Sequence, residues 1–246
     1  MAGKKEVEVA VEVEVDKFAE ATEILHNAAI KSDSCIVFYS GGKDSLCVMN
    51  MAAQIFKRVV PVFMYFIPGL EIIQKQLDFA KNRWGVNTVQ IPHWSLFRCI
   101  KYGYYALPSV KNEETIPDIK LKDVYRFILA KLEIPYIATG AKATDSVWRK
   151  QQLTATKDYD FILKPIENWN KFDVLYYLKK NDIPVPDDEG CKANGIGLTT
   201  PTILWLYDKH REDYERMRRF FPFVGAVVER RKLYGIGSKK RTGGGK

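Results

Sequence analysis

Short apolar runs alternate with amphipathic segments over most of the chain. The apolar runs predict strands, which in chain order cover residues 35–39, 59–66, 88–91, 136–139 and 160–166. Between and after them, apolar side chains recur at helical spacing over residues 44–57, 70–85, 120–132 and 171–180. Strands that alternate with helices are typical of βαβ units, so we expect an α/β fold with a mostly parallel sheet and helices on both faces.

The two ends of the chain carry other patterns. Valine alternates with glutamate or alanine over residues 6–15, which predicts a half-buried edge strand that could pair across a homodimer interface. Residues 16–32 repeat apolar side chains at helical spacing, with Asp16 as the N-cap. We therefore expect an N-terminal strand-and-helix extension (1–32), a central domain (33–190) and a C-terminal helical segment with a basic flexible tail (191–246).

Aromatic side chains are concentrated between the third and fourth predicted strands, in residues 92–118. This region is expected to be a long loop with short helical pieces, and long irregular segments in compact domains often line sites. Of the three histidines, His93 lies just past a predicted strand end and is placed to enter such a site. A loop histidine without a role in the site is the alternative.

The positive charge is confined to the end of the chain. The net charge is +8, and residues 209–246 alone hold 12 Lys/Arg against 4 Asp/Glu. A basic, flexible end can neutralise the phosphates of a nucleic acid, with binding that weakens steeply with salt. It can equally be a solubilising end, and the sequence leaves both interpretations open.

Neither a membrane span nor a metal site held by cysteines is expected from the sequence. The longest apolar run, residues 59–67, is too short for a bilayer span of about 20 residues, and the N-terminus lacks the apolar core of a secretory signal. A cytoplasmic protein without a membrane partner is therefore the default expectation. The four cysteines form no C-x-x-C pair, so we expect neither a zinc site nor an iron–sulfur cluster. Cys35 and Cys47 are expected to be buried free thiols, and Cys191 is the cysteine to consider for chemistry.

The sequence YSGGKDSL, residues 39–46, joins the first central strand to the helix that follows. It lacks the spacing of a Walker A loop, yet its parts suit a phosphate. Gly41 and Gly42 let backbone N–H groups approach an anion without a Cβ in the way. The following helix directs its positive end at the same place.

Four polar side chains complete this loop. Ser40 and Ser45 can donate hydroxyl hydrogens, and Lys43 can place a point charge on a phosphate. Asp44 could cap the helix or help to hold Mg²⁺. The sequence thus predicts a phosphate site formed by residues 40–45.

At this strand–loop–helix junction the chain resembles the PP-loop of the adenine nucleotide α-hydrolase superfamily. Its members include ATP pyrophosphatases and phosphoadenylylsulfate (PAPS) reductases. Residues 137–150 are similar to a reductase segment of the pattern G-x-R-x-x-E-S-x-x-R. The matching positions are Gly140, Lys142, Asp145, Ser146 and Arg149. Lysine stands for arginine and aspartate for glutamate there, which keeps the charges but changes their reach.

A third segment, residues 163–190, resembles the family pattern P-L-x-x-W-x-x-x-D-V-W-x-Y-I-x-x-x-x-I-P. The matching positions are Pro165, Ile166, Trp169, Asp173, Val174, Tyr177 and Pro184. For two of them the structural interpretation is preferred, with Asp173 as a helix cap and Trp169 as core packing. The three ordered matches run from about residue 33 to 190 and imply a Rossmann-like fold of the HUP type.

The resemblance also implies an activity. In PP-loop enzymes a substrate oxygen attacks the α-phosphorus of ATP, pyrophosphate leaves, and an amine or sulfur nucleophile captures the adenylylated intermediate. The implied cofactors are ATP, PAPS or adenylylsulfate (APS), and Mg²⁺ with Asp44 as its ligand. Lys43, Asp44 and Arg149 are the implied catalytic residues. Gly140 and Lys142 join the loop in binding the nucleotide.

Departures from the reductase pattern leave the acceptor open. No cysteine follows Cys191, so the C-terminal E-C-G-L-H type of motif is missing. We expect an ATP pyrophosphatase or reductase-like transferase that acts on a small molecule or on a nucleic-acid base. One alternative is a PAPS or APS reductase that uses Cys191 as an atypical thiol. The other is a non-catalytic module that binds nucleotide, or nucleic acid through its basic tail.

Overall fold

The computed structural model describes residues 17–145, 151, 154, 159–185 and 197–235. Several sequence-based predictions concern residues outside these ranges. They are the strand over 6–15, the N-cap Asp16, the motif residues Ser146 and Arg149, Cys191, and the end of the basic tail, 236–246.

Among the described residues, five strands form one sheet. In chain order they are β1 (Ser34–Phe38), β2 (Arg58–Tyr65), β3 (Val89–Pro92), β4 (Ile137–Thr139) and β5 (Ile162–Leu163). Their order across the sheet is β3-β2-β1-β4-β5, and β1 pairs in parallel with β2 and β4, as β4 does with β5. Each strand overlaps its predicted interval, although β5 is much shorter than predicted. The predicted Rossmann-like parallel α/β fold is confirmed.

Helices connect the strands and continue after them. In chain order they are α1 (17–29), α2 (Lys43–Ile55), α3 (Glu71–Trp84), α4 (Trp94–Lys101), α5 (Val110–Thr115), α6 (Leu121–Leu132), α7 (Lys171–Lys180), α8 (Thr200–Lys209), α9 (Arg211–Phe220) and α10 (Gly225–Tyr234). The predicted helices α2, α3, α6 and α7 begin and end within two residues of their predicted bounds. Helices α4 and α5 are the short helical pieces predicted for the aromatic loop. No helix in the described part of the chain is long and apolar enough to cross a membrane.

Helices cover both faces of the sheet. On one face, Ile36 of β1 packs in a buried cluster with Ile128 of α6 and Ile137 of β4. Because successive strand residues point to opposite faces, Cys35 and Val37 of β1 point the other way. Both are fully buried on that side, where α2 packs against β1 and β4. The near-continuous apolar sequence of β1 follows from this burial on two faces.

The chain forms two compact units. As far as the structure describes them, the first comprises Met1–Met64, Leu77–Ile91 and Lys122–Pro186, and the second comprises Tyr65–Gln76, Pro92–Leu121 and Asp187–Lys246. The first unit holds the SGGKDS loop and most of the sheet. The second holds the aromatic segment and the basic C-terminal helices. The three-part division expected from the sequence stays a prediction.

Within the first unit, α1 packs against α7. Phe18 of α1 lies edge-on to Trp169, with ring centroids 4.8 Å apart, and Trp169 is fully buried. Lys17 of α1 donates to the carboxylate of Asp173 at 2.9 Å. The same carboxylate closes a capping box with Asn170 at the start of α7. The structural roles predicted for Trp169 and Asp173 are therefore confirmed.

Within the second unit, a buried carboxylate caps the first turn of α3. Asp213 of α9 accepts hydrogen bonds from the backbone N–H groups of Glu71 at 2.7 Å and Ile72 at 3.0 Å. These are first-turn donors, which otherwise have no partner within a helix. The positive end of α3 is thus neutralised by the protein itself.

Candidate functional site

The SGGKDS loop lies at the carboxyl end of β1. β1 ends at Phe38 and α2 begins at Lys43, with the loop between them. β4 runs parallel to β1 with Thr139 opposite Phe38, so the chain that follows β4 runs beside the loop. Two predicted site residues, Gly140 and Lys142, are in this chain segment. The carboxyl edge of a parallel sheet is where ligands bind in open α/β folds.

Internal hydrogen bonds fix the shape of the loop. Ser45 Oγ donates to the carbonyl oxygen of Gly42 at 2.9 Å and accepts from the N–H of Ser40 at 3.2 Å. Ser40 Oγ in turn donates to Ser45 Oγ at 3.2 Å. Gly41 has a φ of 75°, in the left-handed region that favours glycine. The two serine hydroxyls, predicted as phosphate donors, hold the loop in its conformation here.

Helix α2 begins without a side-chain cap. Its N-cap is Gly42, with φ −76° and ψ 160°, a residue without a side chain to cap the first-turn N–H groups. Ser40 Oγ accepts from the N–H of Gly42 itself at 3.4 Å. The N-cap position considered for Asp44 belongs to Gly42, and Asp44 lies inside the first turn of α2. Its carboxylate oxygens accept from lysine ammonium groups. First-turn N–H groups and the helix dipole together favour an anion at this position.

Four charged side chains alternate in sign beside the loop. Asp44 accepts from Lys43 Nζ at Oδ2 (2.9 Å) and from Lys142 Nζ at Oδ1 (2.6 Å). Lys142 Nζ also lies 3.0 Å from Oδ1 of Asp145. The side chain of Lys43 is 32% exposed and that of Lys142 only 2%. Lys43 is therefore the lysine that a phosphate from solvent can contact, whereas Lys142 is buried in the protein.

The side chains around Asp44 do not fit a Mg²⁺ ion held by the protein alone. Both oxygens of Asp44 already accept from ammonium groups. Within the described residues, no group of three or more His, Cys, Asp or Glu side chains could hold a metal ion. Mg²⁺ is usually bound through one or two carboxylates together with water and substrate phosphates. Metal binding at Asp44 stays a prediction, and it requires a lysine to leave one of the two oxygens.

His93 serves as a helix cap in the second unit. Its Nδ1 accepts from the N–H of Ser95 at 3.2 Å and lies 2.7 Å from Ser95 Oγ, at the start of α4. The ring of Phe66 stacks on it with centroids 4.5 Å apart. Burial lowers the pKa of His93 to about 4, so the imidazole is neutral at pH 7. These contacts favour the structural alternative for His93.

Two cysteines are buried as predicted. Cys35 and Cys47 are free thiols inside the first unit. Burial raises the pKa of Cys35 to about 12 and raises that of Cys47 as well. Because the thiolate is the reactive form, both are unsuited to nucleophilic chemistry at neutral pH.

Asp145 is the residue of this site that the sequence reasoning left without a role. It stands on the reductase-like motif, three residues after Lys142, in the short 3₁₀ turn Ala143–Asp145. The signal was present in the paired replacements, lysine for arginine and aspartate for glutamate. Both replacements shorten the side chain but keep the sign of its charge, so the two positions can still form an ion pair.

A family comparison covers the part of the chain that holds the loop. The model described as phosphoadenosine phosphosulfate reductase domain matches residues 34–187. The chain belongs to this PAPS reductase family. The matched part runs from β1 through α7 and includes the loop, Gly140 and Lys142. It ends before α8, so the basic C-terminal helices lie outside the part shared with other PAPS reductase domains.

Three solved structures are similar to this PAPS reductase-family chain. An NH3-dependent NAD synthetase from Campylobacter jejuni subsp. jejuni NCTC 11168, in complex with nitrate, is 12% identical over 92% of this chain and 96% of its own, with a TM-score of 0.50. A PAPS reductase from Candida auris in a phosphate complex is 15% identical over 72% and 87%, with a TM-score of 0.48. The U34-tRNA thiolase NcsA from Methanococcus maripaludis, with its [4Fe-4S] cluster, is 12% identical over 96% and 84%, with a TM-score of 0.48.

At these identities a structural likeness bears on the fold alone. The NAD synthetase likeness supports the parallel α/β architecture and carries no substrate with it. A search of curated protein sequences finds no match to this chain. The activity of the chain therefore has to be argued from its own site.

Proposed function

We propose that the SGGKDS loop binds the phosphates of an adenine nucleotide, either ATP or a relative such as PAPS or APS. The observation that carries this proposal is the first turn of α2, with glycine as its N-cap, beside the side chain of Lys43, which is about one-third exposed. Backbone N–H groups, a positive helix end and a lysine are the donors that nucleotide phosphates require. Membership of the PAPS reductase family supports the adenine nucleotide as the ligand.

Lys43 is proposed to change partner when phosphate arrives. Its flexible stem allows the ammonium to turn from Oδ2 of Asp44 to a β- or γ-phosphate oxygen. Oδ1 of Asp44 stays on the buried ammonium of Lys142. Mg²⁺ is expected to enter with the nucleotide, bound to its phosphates. A metal contact to Asp44 would have to form at Oδ2, the oxygen that Lys43 leaves.

For ATP, we extend the proposal to cleavage between the α- and β-phosphates. An acceptor oxygen attacks the α-phosphorus, a new P–O bond forms, and pyrophosphate leaves with the electron pair of the broken bond. The AMP group is then on the acceptor, ready for displacement by a second nucleophile. Negative charge grows on the leaving pyrophosphate, where Lys43 and the first-turn N–H groups of α2 would stabilise it. Arg149, outside the described residues, is proposed as a further phosphate contact.

The cleavage proposal is tested by the products formed from Mg-ATP. Pyrophosphate and AMP are measured with and without small-molecule acceptors, tRNA and DNA. We expect pyrophosphate above background with one of the acceptors, and a fall of about tenfold or more in Lys43→Ala, since a charged contact contributes roughly 1.5–3 kcal/mol. Lys57→Ala is the matched control, because Lys57 pairs with Asp33 on the surface of the same unit. Equal background release by wild type and Lys43→Ala with every acceptor would reject cleavage.

The two alternative functions predict other results in the same experiments. Sulfite release from PAPS or APS in the presence of thioredoxin, lost in Cys191→Ser, would favour a reductase. Nucleotide binding without cleavage under any condition would favour a non-catalytic module. Sulfite release would assign sulfur chemistry to Cys191, and binding without cleavage would mean that no acceptor is attacked. Neither result changes the proposed phosphate site.

We also propose a nucleic acid as partner for the basic end of the chain. Helix α10 carries Arg230, Arg231 and Lys232, followed by Leu233 and Tyr234, which are 75% and 72% exposed. An exposed aromatic ring next to cations can stack on a base while the cations meet phosphates. The net positive charge of residues 209–246 supports a polyanionic partner.

Filter binding to tRNA and to single-stranded DNA tests this partner. A chain that ends at Gly235 and the variant Tyr234→Ala are compared with the full chain over a range of salt concentrations. The truncation removes four cations and is expected to weaken binding and to reduce the salt dependence. Tyr234→Ala is expected to weaken binding without changing the salt dependence, because it removes stacking alone. Unchanged affinity and salt slope in both would exclude this end as the contact.

A further inference from the structure

Lys142 is a buried lysine held between two carboxylates. Its side chain is 2% exposed, and its ammonium lies 2.6 Å from Oδ1 of Asp44 and 3.0 Å from Oδ1 of Asp145. A buried ammonium is destabilising unless carboxylates compensate its charge. Two carboxylates do so here, although both are partly open to water. The arrangement therefore holds a positive charge in one fixed place beside the loop.

The two lysines on Asp44 differ in how freely they can leave. Lys43 is about one-third exposed and can exchange its carboxylate for another anion. Lys142 has no such freedom, because its stem is enclosed and its backbone follows Gly140, which is packed against the first turn of α2. Oδ1 of Asp44 is therefore paired with a buried ammonium, whereas Oδ2 is paired with a lysine that can change partner.

We propose that Lys142 is a built-in cation that occupies the point between Asp44 and Asp145 at which a divalent metal ion would otherwise bind. Carboxylate oxygens from two side chains that converge on one point are the ligands that Mg²⁺ and Mn²⁺ prefer. The ammonium takes this position and directs the second oxygen of Asp44 toward Lys43. Lys142 is thus a positioning residue for Asp44, and it keeps the two carboxylates free of metal.

This inference goes beyond the proposed function because it concerns the protein without nucleotide. It predicts that the carboxylate pair of the resting protein binds no divalent ion, so that any metal in the site must be brought by the phosphates. It would hold even if the chain cleaved no nucleotide. Conversely, a metal held by Asp44 and Asp145 before nucleotide binds would exclude it while leaving the phosphate site intact.

Electron paramagnetic resonance of Mn²⁺ added to nucleotide-free protein tests the proposal. Wild type is expected to leave the free Mn²⁺ signal unchanged at micromolar protein. Lys142→Met removes the charge at similar volume, and Mn²⁺ affinity is expected to rise by about tenfold or more, which corresponds to roughly 1.4 kcal/mol. The additional variant Lys142→Met/Asp145→Asn is expected to lose this binding again, because one carboxylate is gone.

Lys43→Met and Lys142→Arg are the matched controls. Lys43→Met also removes a cation from Asp44 but leaves Lys142 in place, so it is expected to gain no Mn²⁺ site. Lys142→Arg retains a cation between the carboxylates and is expected to behave like wild type. Circular dichroism shows whether Lys142→Met is folded. If the folded variant binds no Mn²⁺, Lys142 has only a packing role and the proposal is wrong.

The wild-type protein alone can overturn the proposal. If nucleotide-free wild type binds Mn²⁺ at micromolar concentration and Asp44→Asn abolishes that binding, Lys142 does not exclude metal from the pair. This outcome is independent of whether Lys142→Met folds. Equal Mn²⁺ binding by folded Lys142→Met and Lys43→Met would also overturn the proposal.

Discussion

Gly140, the first residue after β4, touches the backbone of Asp44 in the first turn of α2. A Cβ built on Gly140 would lie 3.0 Å from the carbonyl carbon of Asp44 and 3.1 Å from the backbone nitrogen of Ser45. No flexible side chain is available to move aside, because the atoms in contact belong to the backbone. The motif after β4 is thereby held against the phosphate loop, and the ion pair between Lys142 and Asp44 depends on this approach.

Gly140→Ala is expected to destabilise the protein by about 1–3 kcal/mol, because the methyl group overpacks the backbone of α2. Gly42→Ala is the matched control for stability. Its φ of −76° is open to alanine, and its nearest neighbour would be Ser40 Oγ at an ordinary 3.5 Å. Chemical denaturation of both variants measures the difference. Equal stability of Gly140→Ala and wild type would show that the contact is looser than described.

Asp173→Ala is expected to cost about 1–3 kcal/mol of unfolding free energy, because a helix cap and a buried ion pair are lost together. The carboxylate accepts from the N–H of Asn170 at 2.7 Å and from Lys17 at 2.9 Å. Asp33→Ala removes an exposed ion pair with Lys57 and is expected to change stability by less than about 1 kcal/mol. Urea titrations of both variants check this order, and a larger loss in Asp33→Ala would contradict it.

Stability is expected to fall as the pH drops from 6.5 toward 4, in part because of His93. Burial lowers the pKa of His93 from 6.5 to about 4 in the folded protein. The unfolded chain therefore takes up a proton first in this window, and protonation favours unfolding. His93→Asn retains a capping oxygen for Ser95 but no group that titrates there. Melting temperatures between pH 4 and 7 are expected to decline less in His93→Asn than in wild type, and parallel curves would exclude this role.

Cys35 and Cys47 are expected to resist alkylation in the native protein. Their thiols are buried, and burial raises the pKa of both, with Cys35 at about 12. Cys99 is partly exposed, and its pKa is raised mainly by partial burial. Peptide mapping after iodoacetamide treatment at pH 8 is expected to find Cys99 modified before Cys35 and Cys47. Rapid modification of Cys35 in folded protein would contradict the packing of β1.

Much of the fold could be predicted from the sequence because its elements are locally encoded. Buried strands such as Ser34–Phe38 read as short apolar runs, and the helix Lys171–Lys180 has both its pattern and its capping residues nearby in sequence. β5 was predicted too long, since only Ile162 and Leu163 pair with the neighbouring strand. An apolar run sets which residues are buried, whereas the length of a strand depends on how many partners the next strand offers.

The loop could be predicted from its spacing, but the partners of its charged residues could not. Asp44 was assigned to a helix cap or a metal, because its neighbours in sequence suggest both. One of its two lysine partners, Lys142, is 98 residues away and reaches it because β4 lies beside β1. The parallel sheet creates this contact, so it follows from tertiary structure and has no local signal.

The central claim is that the SGGKDS loop holds the phosphates of an adenine nucleotide, and isothermal titration calorimetry with ATP and Mg²⁺ tests it most directly. Wild type is expected to bind ATP in preference to GTP. Lys43→Ala is expected to bind ATP about tenfold or more weakly, because a charged contact of roughly 1.5–3 kcal/mol is lost. Lys57→Ala is expected to match wild type. Absence of ATP binding by wild type, or equal affinity in wild type and Lys43→Ala, would contradict the account.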